Sequence, residues 1–141
     1  MKQGAANEEQ TKKIAANFAT GLKGGETILL VGELGAGKTT FVKGLGRALG
    51  IVQEIVSPTF TLLQVYETTQ VPIHRLVHVD TYRLDQESQL REIGLEDYLN
   101  QPDTVVVIEW PEKLQTLLTV LEHPITIKLH TVGQEREIEY E

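Results

Sequence analysis

The sequence predicts an α/β fold, with a mostly parallel central sheet flanked by helices, antiparallel edge strands and a C-terminal hairpin. Three observations carry this expectation. Short, continuously apolar runs at 27–31, 76–79 and 104–108 read as strands buried on both faces. Segments with helical spacing of apolar residues lie between them, and strands alternating with helices favour parallel pairing at the centre. Finally, residues 125–129 and 136–140 alternate apolar and polar side chains around Gly133, as an antiparallel hairpin does.

Each element follows from local signals. Asn7 can cap a first helix, with Gln10 three residues on in the capping-box position. Ile14, Phe18 and Leu22 recur at spacing four, and Gly24-Gly25 stops the run. After the strand at 27–31 and a glycine-rich loop, residues 39–49 read as a helix closed by Gly50. Residues 57–72, with two prolines and four threonines, read as loop and edge strand. The run 76–79 ends at Asp80 and the run 104–108 ends at Glu109. Between them a helix is expected over 87–99, with Leu90, Ile93 and Tyr98 on one face. Pro111 suits the first turn of another helix, through about residue 121.

With 141 residues the chain is expected to be one domain over 1–141, long enough to bury a core without disulfides or metal. It has no cysteine, which excludes a thiolate metal site and a cysteine nucleophile. The longest apolar runs, 28–31 and 105–108, are far short of the ~20 residues that span a bilayer. The start of the chain is polar. A cytoplasmic protein with no membrane association is therefore expected. The formal net charge is -7, opposite in sign to that of a bare nucleic-acid binder. Residues 1–50 hold 7 basic and 4 acidic side chains, whereas 51–141 hold 6 basic and 16 acidic. An anion site belongs in the first third.

That third contains Gly32-Glu33-Leu34-Gly35-Ala36-Gly37-Lys38-Thr39, a full match to G-x-x-x-x-G-K-S/T between a strand and a helix. The expected fold is accordingly P-loop NTPase-like. Gly32, Gly35 and Gly37 are expected to take positive φ and turn backbone N–H groups around a phosphate. The helix start adds its positive end. Lys38 supplies charge to the terminal phosphates, and the Thr39 hydroxyl can ligate a bridging Mg2+. Glu33 is expected to point to solvent.

Ligands of parallel α/β sheets sit beyond the carboxyl ends of the strands, where Asp80 and Glu109 stand. One acid should hold magnesium, directly or through water, and the other could orient the attacking water. Residue type leaves the assignment open. His78, inside an apolar run, reads as a satisfied buried histidine, and Trp110 as core or interface packing. Residues 57–61 offer hydroxyls that could sense a γ-phosphate, or form an ordinary turn. Arg83 suits a phosphate or a surface acid equally.

Five blocks then occur in order: GELGAGKTTF (32–41), SPTFT (57–61), HVDTYRL (78–84), IGLEDYL (93–99) and IEWP (108–111). Together they resemble the TsaE (YjeE) family, small bacterial ATPases, over about residues 8–137. The resemblance implies a role in making threonylcarbamoyladenosine in tRNA, with ATP/ADP and Mg2+ as cofactors. It implies two partner subunits of sugar-kinase-like fold, one carrying the transfer chemistry, so that tRNA is met only indirectly through the complex. Carried over by residue, the resemblance gives the phosphates to Lys38 and the loop backbone at Gly35, Ala36 and Gly37, and magnesium to Thr39 and Glu109. Thr40 lies beside the phosphates, Asp80 near the γ-phosphate, and Thr59 in a switch-like loop. The catalytic set is then Lys38, Asp80 and Glu109. Where members often carry a Gly-Arg pair in the terminal hairpin, this chain reads Gly133-Gln134-Glu135-Arg136.

Alternative functions use the same loop. A small-molecule kinase needs an acceptor pocket and usually several lid arginines, and the middle segment has only Arg75, Arg83 and Arg91. A GTPase should carry Asn-Lys-x-Asp or Thr-Lys-x-Asp, and Thr11-Lys12-Lys13-Ile14 lacks the aspartate. A regulatory subunit that senses ATP without hydrolysing it is the alternative that the residues exclude least.

Overall fold

Residues 1–58 and 60–140 are described by the computed structural model. In chain order they form β1 (Lys2–Ala5), α1 (Glu8–Ala19), β2 (Thr27–Gly32), α2 (Lys38–Ala48), β3 (Leu63–Glu67), β4 (Arg75–Asp80), α3 (Ser88–Glu92), β5 (Thr104–Glu109), β6 (Pro124–Val132) and β7 (Glu135–Glu139). Among the described residues the seven strands make one sheet in the order β1-β7-β6-β2-β5-β4-β3. The four central strands β6, β2, β5 and β4 are parallel. The pairs β3–β4, β6–β7 and β1–β7 are antiparallel. The sheet is therefore mixed, with as many antiparallel as parallel pairings, which corrects the mostly parallel expectation. The apolar central strands, the edge strand within 57–72 and the C-terminal hairpin were all legible; the edge strand β1 was not.

Alternation along the strands divides the core into two layers. Ile28 and Leu30 of β2, Val105 and Val107 of β5, and Ile127 and Leu129 of β6 pack under α1 and α2, around Phe41, Val42 and Leu45. Leu29, Val77, Val79, Val106 and Ile108 point to the other side, where Leu84, Leu90, Leu95, Leu99, Leu114 and Leu117 cover them. Each such buried side chain contributes about 1.5–3 kcal/mol relative to exposure. The α1–α2 contact is close because α2 carries Gly44. A Cβ there would sit 2.6 Å from the Lys12 carbonyl oxygen and 2.8 Å from the Ala15 Cβ.

Three expectations about elements change. The helix expected over 87–99 is only five residues of α-helix, Ser88–Glu92, followed by a 3-10 turn at Leu95–Asp97. Gly94, at φ 87°, breaks it. The helix expected from Pro111 to about residue 121 is two 3-10 turns, Pro111–Lys113 and Leu117–Val120. The Glu87 carboxylate accepts the amides of Gln115, Thr116 and Leu117, drawing them away from the carbonyls a continuous helix would use. Finally, β1 was not foreseen. Four residues with only Ala5 buried carry no periodic signal, and the strand exists because β7 offers it a ladder from Lys2↔Glu139 to Ala5↔Arg136.

Candidate functional site

The site is built where β2 ends and α2 begins. Gly35 (φ 84°) and Gly37 (φ 97°) occupy the left-handed region, and Gly37 caps α2 without a side chain. Gly32 does not have positive φ, contrary to expectation. It is required by close approach, since a Cβ there would lie 2.8 Å from the Leu129 carbonyl oxygen of β6. Lys38, buried at 6% exposure, donates from Nζ to the Gly32 carbonyl at 2.5 Å and the Glu33 carbonyl at 3.1 Å. Desolvation by burial pushes its pKa down against the pull of Glu109, Glu112, Asp80 and Glu33.

Glu33 is exposed, as expected, but it is also tethered. Its carboxylate accepts the Thr131 amide at 3.2 Å, tying the loop to β6. The bond from the Thr131 side chain and the bond from its amide hold the Glu33 carboxyl below its ordinary range. Arg136 of β7 makes a second tie, donating from Nη2 to the Gly35 carbonyl at 3.1 Å. Sequence reasoning missed both ties, because they join residues about a hundred positions apart with no motif between them.

The sheet register brings in the acids. Asp80 and Glu109 are direct partners at the ends of β4 and β5, and Glu109 is level with Leu30 of β2. Alternation turns both carboxylates to the α2 face, where both are buried. The Glu109 carboxylate accepts from the Thr39 hydroxyl at 3.3 and 3.5 Å. Asp80 accepts from the Ser57 hydroxyl at 2.7 Å and the Tyr82 amide at 2.9 Å. Ser57 therefore belongs to the site; Thr59 lies outside the described residues. Trp110, at φ 62° in the left-handed region that bulky residues avoid, presents its ring to Lys38. The Thr81 hydroxyl and amide pin this turn through the Glu109 and Trp110 carbonyls. Its direction is thus set by the turn, which no residue pattern announced.

These groups line a cavity of about 530 Å³. Its lining includes Gly35, Gly37, Lys38, Thr39 and Thr40 of the loop and α2, the acids Asp80 and Glu109, and Arg83 and Trp110. Ala36 is fully buried beneath the loop. Ala5, Asn7, Glu8, Thr11, Gln134 and Arg136 line the cavity as well.

Comparison with known proteins follows the same blocks. The model of the family described as "Threonylcarbamoyl adenosine biosynthesis protein TsaE" matches residues 5–138. This chain belongs to the TsaE family. It is 37% identical over 140 residues to the tRNA threonylcarbamoyladenosine biosynthesis protein TsaE of Bacillus subtilis, covering 99% of this chain and 84% of that one. It is 43% identical over 114 residues to the Rickettsia felis protein of the same name, covering 80% of this chain and 64% of that one. Its fold matches the crystal structure of Bacillus subtilis YdiB at a TM-score of 0.77 and 31% identity, over 99% of this chain and 83% of that one. The matched region spans blocks that lie apart in the chain yet converge here: the loop at 32–41, the strand end at Asp80 and the turn at Trp110.

The donor set fits a small hard cation. Thr39 and Glu109 offer hydroxyl and carboxylate oxygens side by side, and among the described residues no cluster of three or more His, Asp or Glu competes. Such a sparse protein set suits Mg2+, which takes its remaining ligands from phosphate and water. No described helix is long and apolar enough to cross a membrane.

Proposed function

We propose that this TsaE-family chain is the Mg2+-dependent ATP-binding and ATP-hydrolysing subunit required for threonylcarbamoyladenosine modification of tRNA. One observation carries the reading: a phosphate loop at Gly32–Thr39 faces two register-paired carboxylates, Asp80 and Glu109, across one cavity. In this reading the loop amides and the α2 N-terminus hold the β- and γ-phosphates, with Lys38 as point charge. Thr39 and Glu109 hold magnesium, which supplies charge neutralisation between the phosphates. Asp80, oriented by Ser57 and the Tyr82 amide, is placed to hold the attacking water, and the Ser57 loop reports the γ-phosphate.

The partners in this reading are two subunits of sugar-kinase fold that carry the transfer chemistry. Support comes from the TsaE names of the relatives and from charge. Residues 51–141 carry 16 acids against 6 bases, so tRNA is met through the assembly. Single-turnover ATP hydrolysis, measured with and without magnesium and with and without the partner subunits, tests the proposal. Hydrolysis that requires magnesium and rises with partners is the expected result. Tight Mg–ATP binding with no turnover under any condition would make the chain an ATP-sensing subunit instead.

A further inference from the structure

Among the described residues, His78 is the one fully buried charged-type side chain of the α2 face that the proposed phosphate chemistry does not use. It lies on β4 two residues before Asp80, so alternation points it to the same side, among Leu76, Val105 and Val107. Its Nε2 is 2.5 Å from Glu109 Oε2. Its Nδ1 is buried and has no hydrogen-bond partner. A buried polar atom left unpaired costs about 1–3 kcal/mol, a cost that an aliphatic residue at this position would not carry. Histidine there is explained only by what Nε2 does. A carboxylate only accepts, so Nε2 carries the proton and donates.

Glu109 otherwise has weak restraint on its carboxylate, since the Thr39 hydroxyl stands at 3.3–3.5 Å. A free glutamate side chain has several rotamers, and ordering one costs free energy at the moment a ligand needs it. We propose that His78 is a positioning residue that fixes the Glu109 carboxylate toward Thr39 before magnesium arrives. The role rests on the reading of Glu109 as a magnesium ligand. Outer partners of metal-binding carboxylates typically change metal affinity 10–100-fold when removed.

The test is a magnesium titration of ADP binding by calorimetry on the full chain, in wild type, His78→Met, His78→Gln and Glu109→Gln. ADP avoids turnover. His78→Met fills the space without an N–H and should weaken apparent Mg2+ affinity at least 10-fold, with ADP affinity in EDTA unchanged. His78→Gln restores an N–H donor and should recover most of the loss, which a purely packing role would not produce. If Glu109→Gln weakens Mg2+ affinity while His78→Met leaves it unaltered, His78 has no positioning role and Glu109 stands. If Glu109→Gln has no effect, the magnesium assignment fails and the role of His78 fails with it. Side-chain 15N NMR of wild type covers the case of a variant that does not fold. A protonated Nε2 whose shift responds to Mg2+ added to the ADP complex is expected; a bare Nε2, or a shift indifferent to Mg2+, overturns the proposal.

Discussion

The Lys38 Nζ lies 3.8 Å from the centroid of the Trp110 ring, so this buried cation rests against an aromatic face. A contact of this kind is worth about 0.5–2 kcal/mol when partly desolvated. Trp110 is the only tryptophan of the chain. Adding Mg–ATP, which draws Lys38 to phosphate, is expected to change the intrinsic tryptophan emission. Because that contact is made without ATP and given up on binding, Trp110→Leu should raise ATP affinity roughly 2- to 30-fold, the equivalent of that contact. Unchanged emission at saturating ATP would mean that Lys38 does not move against the ring.

Lys38 carries a charge that the folded state holds at a cost. Its pKa is lowered by burial, so between that lowered value and the ordinary 10.5 the unfolded chain binds more protons than the folded one. Stability contributed through this group therefore rises with pH across that window. Lys38→Met should abolish measurable ATP binding while leaving the melting temperature equal or higher. As pH rises, ATP affinity of wild type should begin to fall before pH 10.5 is reached. A clear drop in the variant's melting temperature would contradict the burial argument.

Asp80 and Glu109 are expected to separate binding from turnover. Glu109→Ala should remove most of the magnesium dependence of ATP binding. Asp80→Asn should leave ATP affinity within a few-fold and cut hydrolysis about 100-fold, the usual scale for losing a group that places a nucleophile. Parallel binding and single-turnover measurements on both variants read the difference. Equal losses in both quantities would assign the two acids the same task.

The α1–α2 interface gives a stability prediction. Alanine is the better helix former by about 1 kcal/mol, yet Gly44→Ala would force a Cβ to within 2.6–2.8 Å of Lys12 and Ala15 atoms. Overpacking of this kind costs about 1–3 kcal/mol. Denaturant unfolding should show net destabilisation. A more stable variant would show that α1 can move aside freely.

Glu87 gives an acid-side prediction. Partial burial opposes its charge, but the amides of Leu117, Thr116 and Gln115 outweigh that and lower its pKa below 4.5. A carboxyl lowered in the folded state stabilises above its unfolded value and loses that contribution as pH falls through the folded value. Glu87→Gln should therefore destabilise at pH 7, by about 1 kcal/mol as for other capping groups. The gap to wild type should close below pH 4.5. A gap that persists at pH 3 would assign the effect to packing.

Much of this molecule was readable in its residues because the signals were local. The strands at 27–31, 76–79 and 104–108 are apolar without interruption, and a glycine-rich loop has few alternatives. The acids at strand ends were legible for the same reason: sheet geometry sends ligands to those ends. What stayed hidden depends on distant partners. Residues 2–5 become a strand only against β7, and Gly32 is glycine because Leu129 passes beside it. Trp110 faces Lys38 through a turn held by Thr81, and Arg136 reaches Gly35 across the hairpin. The segments 87–99 and 111–121 show helical spacing, but Gly94 and the Glu87 carboxylate overrule it.

The place of β1 bears on how the protein is made. Its sole neighbour among the described strands is β7, with Lys2 opposite Glu139. A ribosome adds about 5–20 residues per second, so β1 waits roughly 7–27 seconds for its ladder to exist. Residues 32–39 are synthesised early, but β5 and β6, which flank β2, and Arg136, which shares a cavity with Ala5, follow only after residue 103. The cavity can therefore close only in the last part of translation, when both ends of the chain meet.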